Sequence, residues 1–184
     1  NFGAAALSLS GNQNYTFASS LTAGDVDASN LTGIAKLSIT DFSNSTATRS
    51  TLTGTANNDT IVIANNPGET ITIDVKEGAN SVSVKNASDT SNLSVTSGSG
   101  ADTLTGGAGN DELNSGAGAD SITLGAGNDL VMAGAGDDMV TGAGHVTSAD
   151  TLVGGDGADT LSLTGSSATS DLNNVYGFET LTLA

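Results

Sequence analysis

Between Ser97 and Ser162 the chain repeats itself every nine residues. The units run Ser97-Gly-Ser-Gly-Ala-Asp102, Gly106-Gly-Ala-Gly-Asn-Asp111, Ser115-Gly-Ala-Gly-Ala-Asp120, Leu124-Gly-Ala-Gly-Asn-Asp129, Ala133-Gly-Ala-Gly-Asp-Asp138 and, after an interruption, Gly154-Gly-Asp-Gly-Ala-Asp159. The aspartates fall at 102, 111, 120, 129, 138, 150 and 159, with a longer step only between 138 and 150. Two residues after each stands an aliphatic: Leu104, Leu113, Ile122, Val131, Val140, Leu152 and Leu161.

Constant spacing makes each unit follow the same backbone path. Glycines at the second and fourth positions (Gly98 and Gly100, Gly107 and Gly109, Gly116 and Gly118, Gly125 and Gly127, Gly134 and Gly136) allow φ > 0 and a tight turn with carbonyl oxygens on its inside. A short strand of about three residues follows, its aliphatic pointing inward. Two units then complete a coil of about eighteen residues, and coils stack. Units of like parity align, which puts Asp102, Asp120, Asp138 and Asp159 along one edge and Asp111, Asp129 and Asp150 along the other.

Stacked coils lie only ~4.8 Å apart. Two bare carboxylates at that separation repel by roughly 3 kcal/mol at an effective dielectric near 20, and several such pairs would exhaust a typical stability of ~5 to 15 kcal/mol. A hard divalent cation between the loops reverses the sign. Carboxylate and carbonyl oxygens in flexible geometry suit Ca²⁺ better than Mg²⁺, and a chain with no Cys and one His offers zinc little. The expected metal ligands are therefore Asp102, Asp111, Asp120, Asp129, Asp138, Asp150 and Asp159, with the backbone carbonyls of the ten glycines named above. Loops sharing an ion are expected at Asp102/Asp120, Asp120/Asp138 and Asp111/Asp129, for about three to five ions in all. Asn110, Asn128 and Asp137 are expected to stabilise turns, and Glu112 and Asp156 to face water.

These units resemble the glycine- and aspartate-rich nonapeptide of the repeats-in-toxin (RTX) proteins. The resemblance implies an all-β fold, a right-handed parallel β-roll or β-solenoid loaded with calcium. Leu52-Thr-Gly-Thr-Ala-Asn-Asn-Asp59-Thr-Ile61 is similar to a common RTX opening unit, with Asn57 where the family has Gly. Asp25-Val-Asp-Ala-Ser-Asn-Leu-Thr-Gly33 resembles stretches of bacterial surface-layer and large RTX adhesin chains, and Gly177-Phe-Glu-Thr-Leu resembles a strand that closes RTX arrays in surface proteins. The implied function is a calcium-dependent structural and self-assembly module of a type I secreted, surface-layer-like bacterial protein. It would fold outside the cell, at the cell surface, and join a lattice, a filament or other parts of a larger chain, with cell-surface polysaccharide as a further partner. The alternative is the C-terminal RTX domain of a secreted protease or lipase, or of an RTX adhesin. For an ice- or glycan-binding face, Thr pairs such as Thr70/Thr72 are too few.

The rest of the chain is expected to be β as well. Residues 1–50 alternate in Ala6-Leu-Ser-Leu9 and Leu37-Ser-Ile39 and carry Phe2, Tyr15, Phe17 and Phe42. A thin coil has no interior room for rings, so this segment is expected to be an N-terminal cap or linking β segment. Residues 51–96 read as degenerate rungs, because aliphatic pairs recur at Ile71/Ile73, Val82/Val84 and Leu93/Val95. Pro67-Gly68 marks a turn there. The roll is assigned to 97–163. The pattern fades through Gly165-Ser-Ser-Ala-Thr-Ser, and 164–184 are expected to be capping strands. The interruption around His145 is expected to be a solvent-facing bulge.

A formal net charge of −16 and a pI near 4.1 argue against nucleic acid and anionic membrane surfaces as partners. No apolar run approaches the ~18 residues of a membrane span. The chain begins at Asn1 rather than Met, which reads as a piece or processed product of a longer chain. No His-Glu-x-x-His, Gly-x-Ser-x-Gly, dinucleotide fingerprint, phosphate loop or EF-hand spacing occurs, so the chain is expected not to be an enzyme.

Overall fold

The computed structural model describes residues 6–18, 21–22, 25–43, 49–64, 68–164 and 172–183. Phe2, Pro67 and the 165–170 stretch lie outside the described residues. Every described element is a strand, and every pairing between strands is parallel.

The strands alternate between two sheets. The first holds β1 (Leu7–Gly11), β4 (Asp25–Leu31), β6 (Arg49–Thr53), β8 (Thr70–Lys76), β10 (Asn92–Ser97), β12 (Glu112–Asn114), β14 (Leu130–Ala135), β16 (Thr151–Asp156) and β18 (Val175–Tyr176), in that order. The second holds β2 (Tyr15–Phe17), β5 (Leu37–Ser43), β7 (Thr60–Ile63), β9 (Ser81–Val84), β11 (Thr103–Thr105), β13 (Ser121–Thr123), β15 (Met139–Thr141), β17 (Thr160–Leu163) and β19 (Thr180–Leu183), with β3 (Leu21–Thr22) beside β5. Consecutive strands thus leave one sheet for the other and return one rung higher, which defines a β-solenoid.

Register follows the hydrophobic pattern. Val95, Leu113, Val131 and Leu152 stack in one sheet, and Leu104, Ile122, Val140 and Leu161 stack in the other. All eight are buried. With a side-chain period of two, a slip of one residue would expose the whole row, so this row fixes the register.

The segment expected as an N-terminal cap contributes β1 to β5 to the same two sheets. Phe42 is fully buried, contrary to the expectation that a coil has no room for a ring. The coils here are longer: Leu37 reaches Asp59 across 22 residues, against 18 between Asp102 and Asp120. The longer coil accommodates Phe42 together with Leu37, Ile39, Ile61 and Ile63. At the other end Leu181 and Leu183 of the last strand are largely exposed.

Candidate metal centre

Each glycine loop joins a strand of one sheet to the next strand of the other, so the sixth-position aspartates fall on two edges of the solenoid. On the first, Asp102 N–H donates to Asp120 Oδ1 (2.8 Å), Asp120 N–H to Asp138 Oδ1 (2.8 Å), and Asp138 N–H to Asp159 Oδ1 (2.9 Å). On the second, Asp111 N–H donates to Asp129 Oδ1 (2.9 Å) and Asp129 N–H to Asp150 Oδ1 (2.7 Å). The structure therefore brings the aspartates into the two expected columns. All seven are at least 97 % buried, in the interior rather than on an outer edge.

One carboxylate oxygen per residue makes the rung; the other distinguishes the sites. Oδ2 of Asp102, Asp120, Asp129, Asp138 and Asp159 is buried with no hydrogen-bond partner. Asp111 Oδ2 instead accepts the Gly107 N–H at 2.9 Å, and Asp150 Oδ2 the Thr147 N–H at 2.7 Å. Asp111, expected to share an ion with Asp129, is thus satisfied within its own loop.

A buried anionic oxygen without a donor is expensive, and the charge state responds. Desolvation pushes Asp129 up to about 7, with the carboxylates of Asp111 and Asp150 adding to the rise. Burial likewise raises Asp102 and Asp138, each with Asp120 adding to it, and raises Asp111. These sites call for a proton or a cation.

The glycines form the rest of each cradle. A Cβ on Gly116, Gly118, Gly134 or Gly136 would overlap the carbonyl oxygen of Gly98, Gly100, Gly116 or Gly118 respectively, one coil earlier. Gly100, Gly116, Gly118, Gly125, Gly127, Gly134 and Gly136 take positive φ, as expected. Gly98, Gly107 and Gly109 do not. At Gly107 and Gly109 the demand is close approach instead, because a Cβ would collide with the Asp89 and Ser91 carbonyls.

Among the described residues no three His, Asp or Glu side chains converge on one point. A metal here would rely on backbone carbonyls as well as carboxylates. That oxygen-only donor set fits Ca²⁺, and nothing in it suits a softer metal.

Asn110 N–H donates to Asn92 Oδ1 (2.8 Å) and Asn128 N–H to Asn110 Oδ1 (2.9 Å), an exposed ladder that stabilises the turns. Asp137 Oδ1 accepts the Ala158 N–H. Glu112 and Asp156 are exposed, as is His145, while the neighbouring Val146 of the interruption is buried.

Sequence reasoning missed that the first column extends upstream. Leu37 N–H donates to Asp59 Oδ1, Asp59 N–H to Asn80 Oδ1 and Asn80 N–H to Asp102 Oδ1 (2.7, 2.8 and 2.6 Å). Gly78-Ala-Asn80-Ser-Val82 matches Gly100-Ala-Asp102-Thr-Leu104 in order of residue types, and that parallel was the available signal.

Fold and site together define a parallel β-solenoid whose glycine loops stack into oxygen-lined columns built for a hard cation. Residues 96–131, 117–144 and 147–165 match the RTX calcium-binding nonapeptide repeat family in its four-copy form, and the chain carries RTX repeats. Such repeats bind calcium and occur typically in secreted bacterial proteins. No curated protein and no solved structure matches the chain.

Proposed function

We propose that this chain is a calcium-dependent structural module of an exported bacterial surface protein, of surface-layer type, with no catalytic role. The observation that carries the reading is the set of five orphaned aspartate oxygens, each buried within stacked glycine loops. Asp102, Asp120, Asp138 and Asp159 in one column and Asp129 in the other are the carboxylate ligands, completed by carbonyls of Gly98, Gly100, Gly116, Gly118, Gly125, Gly127, Gly134 and Gly136. Asp111 and Asp150, with Gly107 and Gly109, shape the second column.

Calcium supplies the positive charge these oxygens lack. With affinities of ~10⁻⁴ to 10⁻³ M, usual for extracellular modules, millimolar calcium adds about 0.4 to 1.4 kcal/mol per site. Sites that share a coil add cooperatively. The glycine-rich coils then stay open where calcium is scarce, as in the cytosol, and close after export. The low aromatic content and the composition rich in Ser, Thr, Ala, Asn and Gly support a surface-layer context.

Circular dichroism with millimolar calcium and with chelator tests the reading. Strand signal is expected to fall on chelation and return on readdition; a spectrum indifferent to calcium would defeat the proposal. Electron microscopy of the calcium-loaded chain tests the assembly part, for which ordered sheets or filaments are expected and dispersed monomers count against it.

A further inference from the structure

Resting on the calcium reading above, we infer that Asn80 terminates the cation column: its side-chain amide takes the place an ion fills in later loops, so the loop Lys76 to Asn80 closes without metal and templates the first calcium-dependent coil.

The loop from Lys76 to Asn80 is equivalent to the loop from Gly98 to Asp102. The β8–β10 ladder shifts register after Thr96, leaving Ser97 opposite Lys76, so the match between the two loops is read from their glycine contacts. A Cβ on Gly98 would overlap the Lys76 carbonyl and one on Gly100 the Gly78 carbonyl. Asn80 N–H donates to Asp102 Oδ1 just as Asp102 N–H donates to Asp120 Oδ1. Lys76, Gly78 and Asn80 therefore hold the second, fourth and sixth positions of a nonapeptide unit. The backbone agrees: Lys76 has φ +63, the single positive value outside glycine among the described residues, and Gly78 has φ +103.

The two terminal atoms of Asn80 divide the work. Oδ1 accepts the Asp59 N–H, which fixes the orientation of the amide. Nδ2 then donates to the carbonyls of Gly78 (2.9 Å), Lys76 (3.2 Å) and, at the limit, Glu77 (3.4 Å). Asn80 is 98 % buried, yet its polar side chain has partners at both ends. At Asp102 the same position carries an oxygen with no partner. An amide hydrogen supplies positive charge to loop carbonyls where a carboxylate can only add more negative charge. In a later loop an added cation meets that need.

This loop is also tied to the next one. Gly78 N–H donates to the Ser99 carbonyl (2.8 Å), and the Glu77 carboxylate accepts both the N–H and the hydroxyl of Ser99. A metal-free loop held in the finished geometry thus presents its face to the first loop that needs an ion.

Two measurements on the whole chain test the inference. Asn80→Asp keeps the Oδ1 rung and replaces the donor by an oxygen, so equilibrium dialysis with ⁴⁵Ca is expected to find one more bound ion per chain than in the wild type. Unchanged stoichiometry in a folded variant overturns the inference. If the variant does not fold in calcium, hydrogen exchange of the wild type in chelator decides. Amides of residues 60–84 are then expected to be protected at least about tenfold more than those of 98–140, and equal exchange in the two segments overturns the inference. A wild-type chain that binds no calcium would instead sink the reading on which this one rests.

Discussion

The solenoid solves one problem twice. Both its upstream coils, through Asn80, and its glycine-rich coils, from Gly98 on, place a side-chain oxygen of each loop on a backbone N–H of the coil before. Upstream the second terminal atom is satisfied inside the loop: Asp59 Oδ2 accepts the Thr55 N–H at 2.6 Å, and Asn80 Nδ2 meets carbonyls. Downstream it is left bare at five aspartates. The coils differ in core as well. Ile71, Ile73 and Val75 are all buried on β8 alone, whereas β11, β12 and β13 bury one aliphatic each, Leu104, Leu113 and Ile122. A buried aliphatic contributes about 1.5 to 3 kcal/mol, so the upstream coils stand on apolar packing and internal hydrogen bonds. The downstream coils have given up that packing for an 18-residue period and a dependence on cations.

The largest expected effect comes from the glycines, because the two regions use them differently. In Gly118→Ala the new Cβ would overlap the Gly100 carbonyl, a backbone atom that cannot move without opening the column, and φ is +146 there. The variant is expected to lose the strand signal of the repeat even in saturating calcium, a loss of about 4 kcal/mol or more. Gly33→Ala, at φ +70 with no atom nearer than 4.0 Å, should cost only about 1 to 2 kcal/mol. Comparable melting of the two variants would show that close coil approach is not what the repeat glycines serve.

How far these distinctions were legible in the sequence depends on what sets each. The nine-residue period places both columns and the inward row from Leu104 to Leu161, since spacing alone decides which side chains share an edge. Which aspartates are orphaned is not written in that period. Asp111 and Asp129 sit in near-identical units, yet Gly125 and Gly127 take positive φ and Gly107 and Gly109 do not. Loop 107–111 rests on the Asp89 and Ser91 carbonyls rather than on another nonapeptide, and it turns its Gly107 N–H inward. The unit at Lys76 to Asn80 was hidden because it lacks the glycine at its second position and the aspartate at its sixth, the two letters by which the repeat is recognised. Burial of Phe42 followed from coil length, which residue types in 1–50 do not reveal.

A pair of isosteric changes separates orphaned from satisfied aspartates. In Asp111→Asn one end of the amide must place hydrogens against an N–H, because Oδ1 now accepts the Leu93 N–H and Oδ2 the Gly107 N–H. The variant should lose about 1 to 3 kcal/mol with or without calcium. In Asp138→Asn, Oδ1 keeps the Asp120 N–H and the new donor replaces an oxygen that has no partner, as Asn80 does upstream. That variant is expected to bind calcium more weakly and to keep more strand signal than the wild type in chelator, the equivalent of about 1 kcal/mol. The strand signal of both in chelator gives the answer: changes of the same sign would erase the distinction between the two classes of site.

The smallest expected effect lies on the outer ladder, where the comparison predicts almost no calcium dependence. Asn110 Oδ1 accepts the Asn128 N–H, and the Asn110 N–H reaches Asn92 Oδ1, but these groups are exposed. In Asn110→Ala the Asn128 N–H loses its partner while water stands ready to replace it, so the cost should sit near the low end of a neutral hydrogen bond, about 0.5 kcal/mol. The inner Asp111 and Asp129 rung is untouched, so the calcium midpoint should move by less than about twofold, the equivalent of ~0.4 kcal/mol. A calcium titration followed by circular dichroism reads both quantities at once. A midpoint shifted tenfold would mean that the fifth-position amides contribute to holding the ion, and that the charge-bearing column is wider than the buried aspartates alone.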